Sequence, residues 1–237
     1  MAVDVLIAGL ASLSWALIPS HCLICGSRPA GRLRRRLDLC SACHRGLPRS
    51  RICCPRCARP MPVAERCGPC RAEPTLWDAA RIAFAYEPPV DALLLALKFR
   101  GELAAGVLLG RLLAAYLGRS TVDLIVPVPL SAARQAERRY NQAYELALPS
   151  HRRFGIPIAA SALRRVRHTP PQVGLSATAR RRNLRGAFVA DPQQLDGRRI
   201  ALLDDVVTTG ATLAAATRAV RAAGASHIEV WAVARAA

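Results

Sequence analysis

The segment around Asp204 and Asp205 constrains the fold more than any other part of this chain. An apolar run at residues 200–203 precedes these two adjacent carboxylates, and small and hydroxyl-bearing residues follow them. A helix-like stretch then covers residues 211–223. This order predicts a buried strand, a tight turn and a helix, the unit from which α/β folds with parallel sheets are built.

The turn after the two carboxylates is a predicted anion site. The first N–H groups of a helix lack intrahelical partners, and the helix dipole adds positive charge there, so such a turn attracts a phosphate. Carboxylates would repel the same phosphate, but they suit neighbouring sugar hydroxyls or a Mg²⁺-bound ligand. Sugar hydroxyls beside a phosphate describe a ribose 5-phosphate. The alternative is a Rossmann-like turn whose acids are merely solvated; the chain has no Walker A motif.

An apolar strand followed by Asp-Asp, Val-Val and Thr-Thr-Gly-x-Thr resembles the motif of type I phosphoribosyltransferases, which bind phosphoribosyl pyrophosphate (PRPP). The resemblance implies that the two acids hold the ribose 2′- and 3′-hydroxyls as catalytic residues, and that the loop at 208–212 holds the 5′-phosphate. It also implies Mg²⁺ as a cofactor that enters with PRPP. The residues expected to bind PRPP through this motif are Asp204, Asp205, Val206, Val207, Thr208, Thr209, Gly210, Ala211 and Thr212.

Four Cys-x-x-Cys pairs predict structural zinc. The pairs are Cys22/Cys25, Cys40/Cys43, Cys54/Cys57 and Cys67/Cys70. Two-residue spacing lets two thiolates face one tetrahedral metal, so four pairs make two sites, joined either in sequential or in interleaved order. Disulfides would need an oxidising compartment, and thioredoxin-type chemistry expects a single pair in a βαβ setting. Cys53 is a spare thiol, and His21 and His44 are expected to be neighbours of the ligands.

The chain is strongly basic, with a formal net charge of +18. Arginine supplies 33 of its 34 basic residues, and Lys98 is the single lysine. Residues 20–75 carry twelve arginines against three acids, a formal +9. Two zinc tetrathiolate sites would reduce that to about +5, because each adds a net −2. A surface with this much positive charge attracts polyanions, whether a nucleic acid or a diphosphorylated sugar.

The apolar N-terminal stretch at residues 2–18 is predicted to be a helix that packs against the rest of the protein rather than a membrane-surface anchor. It falls short of the ~20 residues that span a bilayer and lacks the positive start of a signal peptide. We therefore expect no transmembrane segment and a cytoplasmic location. The expected domains are an apolar N-terminal helix at 1–19, a double zinc-ribbon domain at 20–73 and a phosphoribosyltransferase-like domain at 77–237.

Strands and helices alternate along the remainder of the chain. This alternation predicts a doubly wound, mostly parallel sheet that binds its ligand at the carboxyl ends of the strands. The expected strands are 80–86, 122–128, 156–160, 187–190, 200–203 and 227–233. The expected helices are 90–98, 103–117, 131–148 and 211–223. The irregular stretch at 169–184 is expected to be a lid.

The order of motifs over nearly the whole chain resembles the ComF family. Besides the cysteine pairs and the 203–212 motif, the matching segments are Leu97-Lys98-Phe99, Val128-Pro129-Leu130, Arg138-x-x-Asn141-Gln142, Gln172-x-x-Leu175-Ser176 and Arg180-x-Arg182-Asn183. Arg139 departs from the pattern, because relatives usually have glycine there. The resemblance implies an α/β, type I phosphoribosyltransferase-like sheet with a small N-terminal double zinc ribbon, and a role in DNA uptake during natural competence.

Two functional hypotheses follow from these features. The first is a PRPP-binding phosphoribosyltransferase-like protein, for which no sequence pattern identifies the acceptor. Further residues expected to contact PRPP in it are Lys98, Arg134, Arg138, Arg180 and Arg182. The second is a non-catalytic competence factor that binds single-stranded DNA or a DNA-uptake helicase, with PRPP as a regulator. The absence of aromatic residues between Cys22 and Arg71 favours phosphate or protein contacts over base recognition in that segment.

Overall fold

The structure is a computed structural model that describes residues 21–28, 38–49, 52–72, 76–167, 184 and 186–236. The expected N-terminal helix and almost all of the expected lid lie outside these residues. Contacts divide the chain into two compact units, Met1–Leu47 and Pro48–Ala237. The two cysteine groups therefore fall in different units. The domain bounds expected from the sequence stay a prediction.

The described residues form six strands, eight α-helices and one π-helical segment. The strands are β1 (Ala79–Ala85), β2 (Leu124–Pro127), β3 (Leu163–Arg165), β4 (Phe188–Ala190), β5 (Arg199–Val207) and β6 (His227–Arg235). The helices are α1 (Ser41–Arg45), α2 (Gly68–Ala72), α3 (Val90–Leu95), α4 (Leu103–Leu117), α5 (Ala132–Arg138), α6 (Gln142–Phe154), α7 (Pro192–Leu195) and α8 (Ala211–Ala222), and the π-helical segment is Ala96–Arg100. None of the helices in these residues is both long and apolar enough to cross a membrane.

Four parallel strands form the central sheet in the order β1–β6–β5–β2. Leu203 on β5 pairs with Pro127 on β2 and with Trp231 on β6, so the carboxyl ends of the strands meet at one edge. Strands β3 and β4 form a separate antiparallel pair. In a parallel α/β sheet, the carboxyl edge is the place where a ligand binds.

Helices cover both faces of this sheet, which confirms the predicted doubly wound fold. Helix α8 covers one face of the sheet, where it packs in one apolar cluster with side chains that include Ile200, Leu202 and Val230. Helices α4 and α6 pack against each other and against β1, β2, β5 and β6. Gly110 allows their close approach, because a Cβ at this position would lie 2.9 Å from the carbonyl oxygen of Leu146.

The helix predicted at 131–148 is two helices in the structure. Arg139 ends α5 in a left-handed conformation, with φ of 65°, and Asn141 begins α6 by accepting a hydrogen bond from the N–H of Ala143 at 2.9 Å. Helix α6 also continues through Pro149 to Phe154, beyond the predicted end. The side-chain cap at Asn141 thus creates a boundary that apolar periodicity did not reveal.

The strands differ from the prediction at three places. Residues 156–160 contribute a single bridge, between Ile158 and Ile125, instead of a strand. Strand β4 pairs with β3, which the sequence did not predict, and not with the central sheet. Strand β5 runs four residues past Leu203, because β6 extends alongside it and pairs with it as far as Val207.

Candidate functional site

A small cleft opens at the carboxyl end of β5. The end of the strand and the first residues of α8 line it together. The lining residues are Asp204, Val206, Val207, Thr208, Gly210, Ala211, Thr212 and Leu213. The strand, turn and helix predicted from the sequence therefore come together around one space.

The turn between β5 and α8 has the geometry of an anion-binding loop. Gly210 precedes the helix with φ of 75° and ψ of 5°, a left-handed conformation that glycine adopts without strain. The hydroxyl of Thr209 accepts a hydrogen bond from the N–H of Ala211 at 3.4 Å. The N–H groups of Thr212 and Leu213 belong to the first turn of α8, where no intrahelical acceptor is in reach and the helix dipole is positive.

The two carboxylates lie inside β5 and not after it, which corrects the position expected from the sequence. Successive residues of a strand point to opposite faces. Asp204 lines the cleft, whereas Oδ2 of Asp205 lies 2.9 Å from Nζ of Lys98. The two acids therefore have different partners. The expectation that both hold ribose hydroxyls stays a prediction.

Asp204 is in a strongly perturbed environment. Burial and the neighbouring Asp205 carboxylate raise the pKa of Asp204 to about 7, against the opposing effects of the Asp205 backbone N–H and the charges of Lys98 and Arg134. That N–H donates to Oδ1 of Asp204 at 2.9 Å. A carboxylate that titrates near neutral pH in a cleft is typical of functional sites.

Lys98 is held at the site by the π-helical segment. The hydroxyl of Tyr140 donates to the carbonyl oxygen of Leu97, which fixes this segment against the start of α6. The side chains of Lys98 and Asp205 are only 19% and 15% exposed, so little water screens their ion pair. The single lysine of the chain thus neutralises the second acid of the predicted motif.

The predicted arginines have different surroundings. Arg134 lies near enough to Asp204 for its charge to lower the pKa of that carboxyl. Arg138 stacks 5.1 Å from the centre of the Phe99 ring and donates to the side-chain oxygen of Gln142 at 3.1 Å. Arg180 and Arg182 lie outside the described residues.

Arg165 on β3 is a cation near the site that the sequence did not single out. Burial lowers the pKa of its guanidinium, the charge of Arg134 adds to that shift, and the charge of Asp204 opposes it. The guanidinium stacks 5.7 Å from the centre of the Phe188 ring. No motif marks this residue, because it belongs to a run of arginines and its strand was not predicted.

Two four-cysteine groups form, in the sequential order of the pairs. They are Cys22, Cys25, Cys40 and Cys43 in the first group and Cys54, Cys57, Cys67 and Cys70 in the second group. Within each group the sulfurs lie within 4.8 Å of one another. Neither group includes Cys53, His21 or His44.

The sulfur geometry of both groups fits zinc. Tetrahedral Zn²⁺ with Zn–S distances of about 2.3 Å requires sulfur–sulfur distances of about 3.8 Å. The sulfurs of Cys25 and Cys40 lie 3.8 Å apart, and those of Cys57 and Cys67 lie 3.6 Å apart. The backbone N–H of Cys67 points to the sulfur of Cys54 at 3.4 Å. Four sulfur ligands leave no open position on the metal, so these sites are structural.

The second group is part of the core beneath the sheet. Its four cysteines are buried and pack in one apolar cluster with Trp77, Ile82 and Val207. Burial lowers the pKa of the Arg235 guanidinium at the end of β6, and negative charge on the nearby Cys57 sulfur opposes that shift. The second group is therefore continuous with the domain that carries the cleft.

Comparison with known proteins agrees with this architecture. The chain matches the double zinc ribbon domain over residues 13–71 and the phosphoribosyl transferase domain over residues 103–237. It is 37% identical over 209 residues to competence protein F of Haemophilus influenzae, which covers 84% of this chain and 90% of that protein. It is 35% identical over 223 residues to the DNA utilization protein YhgH of Salmonella typhimurium, which covers 91% of this chain and 92% of that protein.

Two solved enzyme structures are also similar to part of the chain. The allosteric regulatory enzyme of purine biosynthesis has a TM-score of 0.36 and 23% identity over 52% of this chain. The glutamine PRPP amidotransferase of B. subtilis has a TM-score of 0.35 and 24% identity over 52% of this chain. The match spans 24% of the length of each enzyme. On the sequence matches, the chain belongs to the phosphoribosyltransferase domain family, together with competence protein F and YhgH, and carries a double zinc ribbon ahead of the transferase domain.

Proposed function

We propose that this protein binds PRPP in the cleft at the end of β5 and has the chemistry of a phosphoribosyltransferase. The observation that carries the proposal is that Asp204 and the N-terminus of α8 line the same cleft. A carboxylate accepts hydrogen bonds from two neighbouring ribose hydroxyls, and loop N–H groups donate to a phosphate. A phosphorylated ribose offers partners to both groups, because its hydroxyls donate to the carboxylate and its phosphate accepts from the N–H groups.

The charges at the cleft suit the reaction. Displacement of diphosphate from the anomeric carbon of ribose builds positive charge on the sugar, as in glycoside cleavage. Asp204 would orient the ribose and stabilise that charge, and Lys98 would keep the neighbouring Asp205 neutralised. Arg134 and Arg165 supply positive charge near Asp204, where a diphosphate needs it.

Mg²⁺ is expected to enter with PRPP. Diphosphate and hydroxyl oxygens are ligands that this ion prefers, and the chain offers the Asp204 carboxylate beside them. Mg²⁺ held there would supply positive charge to neutralise the leaving diphosphate. Arg180 and Arg182 stay predicted contacts of that diphosphate.

Calorimetric titration of the full chain with PRPP and Mg²⁺ tests the proposal. The wild type should bind saturably. Asp204→Asn should lose about 10- to 100-fold in affinity, since the amide has no charge and replaces one of the two accepting oxygens by an NH₂ donor. Asp205→Asn should lose less, because Asp205 acts through Lys98. Asp123→Asn is the control, because its carboxylate bonds the N–H of Arg199 at the opposite edge of the sheet. Undetectable binding by the wild type would contradict the proposal.

A second function, in DNA handling, is favoured by the names of the relatives. They are called competence protein F and DNA utilization protein, and this chain has a net charge of +18. In this proposal the protein binds single-stranded DNA, or a helicase that acts on it, in the cytoplasm, where thiols stay reduced and can hold zinc.

Affinity for a single-stranded oligonucleotide should fall steeply with salt, because bound phosphates release counterions. Affinity that is unchanged between 50 and 200 mM salt would exclude phosphate-driven binding. Repeating the titration with PRPP shows whether PRPP regulates it.

A further inference from the structure

Trp77 connects the second cysteine group to the phosphate-binding turn. Its indole N–H donates to the carbonyl oxygen of Arg56, which lies inside the Cys54–Cys57 knuckle. The far edge of the same ring reaches Gly210, where a Cβ would lie 3.3 Å from Cη2 of the ring. Trp77 is only 5% exposed, so both contacts are made inside the core.

The same knuckle is also connected to the other end of α8. Nη1 of Arg56 donates to the carbonyl oxygen of Asp78 at 2.9 Å. The carboxylate of Asp78 accepts a hydrogen bond from Arg221, near the end of α8, at 2.7 Å. The helix is therefore linked to the knuckle at Gly210 through Trp77 and at Arg221 through Asp78.

We propose that Trp77 is a positioning residue through which zinc at the second cysteine group and PRPP at the turn stabilise each other. Gly210 sets the direction of the N–H groups that follow it, and the Trp77 ring packs directly against Gly210. The carbonyl of Arg56 holds that ring in place only while the four sulfurs are gathered and the knuckle keeps its shape. The inference rests on the proposed function for the identity of the ligand.

The coupling must act in both directions. If zinc at the second group strengthens PRPP binding by some factor, PRPP strengthens zinc binding by the same factor. The effect should appear on one of the two zinc ions, because Trp77 bonds to the knuckle of the second group. Zinc then has a role in ligand binding without ever contacting the ligand.

Trp77→Phe isolates this role in the zinc-loaded full chain. Phenylalanine keeps a ring in the core and all cysteines remain, but the indole donor and the far edge of the ring that reaches Gly210 are both lost. Trp231→Phe is the matched control, because buried Trp231 also donates its indole N–H, to Glu229 at 2.8 Å, and is not part of the cluster that contains Trp77. Both variants lose one buried hydrogen bond, so a change that appears in Trp77→Phe alone does not come from that loss by itself.

Amide hydrogen exchange without ligand is the first measurement. We expect the peptide that covers residues 207–213 to exchange about tenfold faster in Trp77→Phe, which corresponds to about 1.4 kcal/mol. The same peptide should keep the wild-type rate in Trp231→Phe. A wild-type rate in Trp77→Phe would overturn the inference. This comparison needs no PRPP, so it decides the role of Trp77 even if PRPP binding fails in calorimetry.

Release of zinc to the chelator 4-(2-pyridylazo)resorcinol is the second measurement. In the wild type and in Trp231→Phe, PRPP with Mg²⁺ should slow the release of one zinc equivalent about fivefold or more. In Trp77→Phe, PRPP should leave both release rates unchanged. Equal slowing in all three proteins would show that Trp77 does not carry the coupling, and would overturn the inference while leaving PRPP binding intact.

Discussion

Replacing Asp204 with asparagine should stabilise the ligand-free protein at alkaline pH, although the same substitution should weaken PRPP binding. Burial and the Asp205 carboxylate raise the pKa of Asp204 to about 7, whereas an aspartate of an unfolded chain titrates near pH 4. Between these two values the folded protein binds more protons than the unfolded chain. The free energy of unfolding therefore falls as the pH rises from about 4 to about 7. Asparagine has no proton to lose, so the variant lacks this fall.

The size of the effect follows from the pKa shift. One pKa unit corresponds to about 1.36 kcal/mol, so a shift of about three units corresponds to about 4 kcal/mol above pH 7. About 2 kcal/mol of this develops between pH 5.5 and pH 8. The Asp204 side chain is of intermediate burial and keeps some contact with water, which screens it, so we expect about 1 kcal/mol. In a domain of this size, that is about 2–4 °C in Tm.

Urea unfolding of wild type, Asp204→Asn and the control Asp123→Asn at pH 5.5 and pH 8 measures this difference. The advantage of Asp204→Asn over wild type should grow by about 1 kcal/mol from the lower to the higher pH. The control should show no such growth, because its carboxylate lies at the opposite edge of the sheet. An Asp204→Asn variant with the same difference at both pH values would refute the reasoning.

Three further substitutions test single contacts by urea unfolding at pH 7.5. Lys98→Met should lower the free energy of unfolding by about 1–3 kcal/mol, because it leaves the mostly buried Asp205 without its cation. A loss below about 0.3 kcal/mol would contradict a stabilising ion pair between these two side chains. Gly210→Ala should cost about 1–2 kcal/mol, since alanine at φ of 75° is strained and its Cβ meets Trp77 at 3.3 Å; an unchanged midpoint would argue against this geometry. Arg139→Gly should instead raise the free energy of unfolding by about 0.5–1 kcal/mol, because glycine tolerates the φ of 65° found there. A fall in the free energy of unfolding would mean that the arginine side chain makes a stabilising contact.

The sequence predicted those features that local chemistry determines. Spacing alone identified the eight cysteines and left open which pairs combine, a choice that the structure makes in sequential order. The apolar run with its two acids located β5 and the turn at the start of α8. Arg139 is the clearest case, because the position noted as a departure from the usual glycine has a positive φ in the structure. A left-handed helix end favours glycine whatever lies around it.

Other features depend on contacts between distant segments, which the sequence does not display. The length of β5 is set by β6, which continues beside it, and the position of Asp205 depends on Lys98 more than 100 residues earlier. The pairing of β4 with β3 fixes the position of Arg165. The sequence did not predict β3, which is a short strand in an arginine-rich stretch. The position of Trp77 between the Cys54–Cys57 knuckle and Gly210 likewise arises only when the core is assembled.

An amide chemical-shift titration of the ¹⁵N-labelled full chain with PRPP and Mg²⁺ tests whether the turn at the start of α8 holds the phosphate. We predict that the N–H signals of Gly210, Ala211 and Thr212 shift together and saturate at one ligand concentration, and that ribose alone leaves them in place. Signals of these residues that stay unchanged while PRPP binds and shifts other parts of the chain would contradict it, because the phosphate would then be held elsewhere.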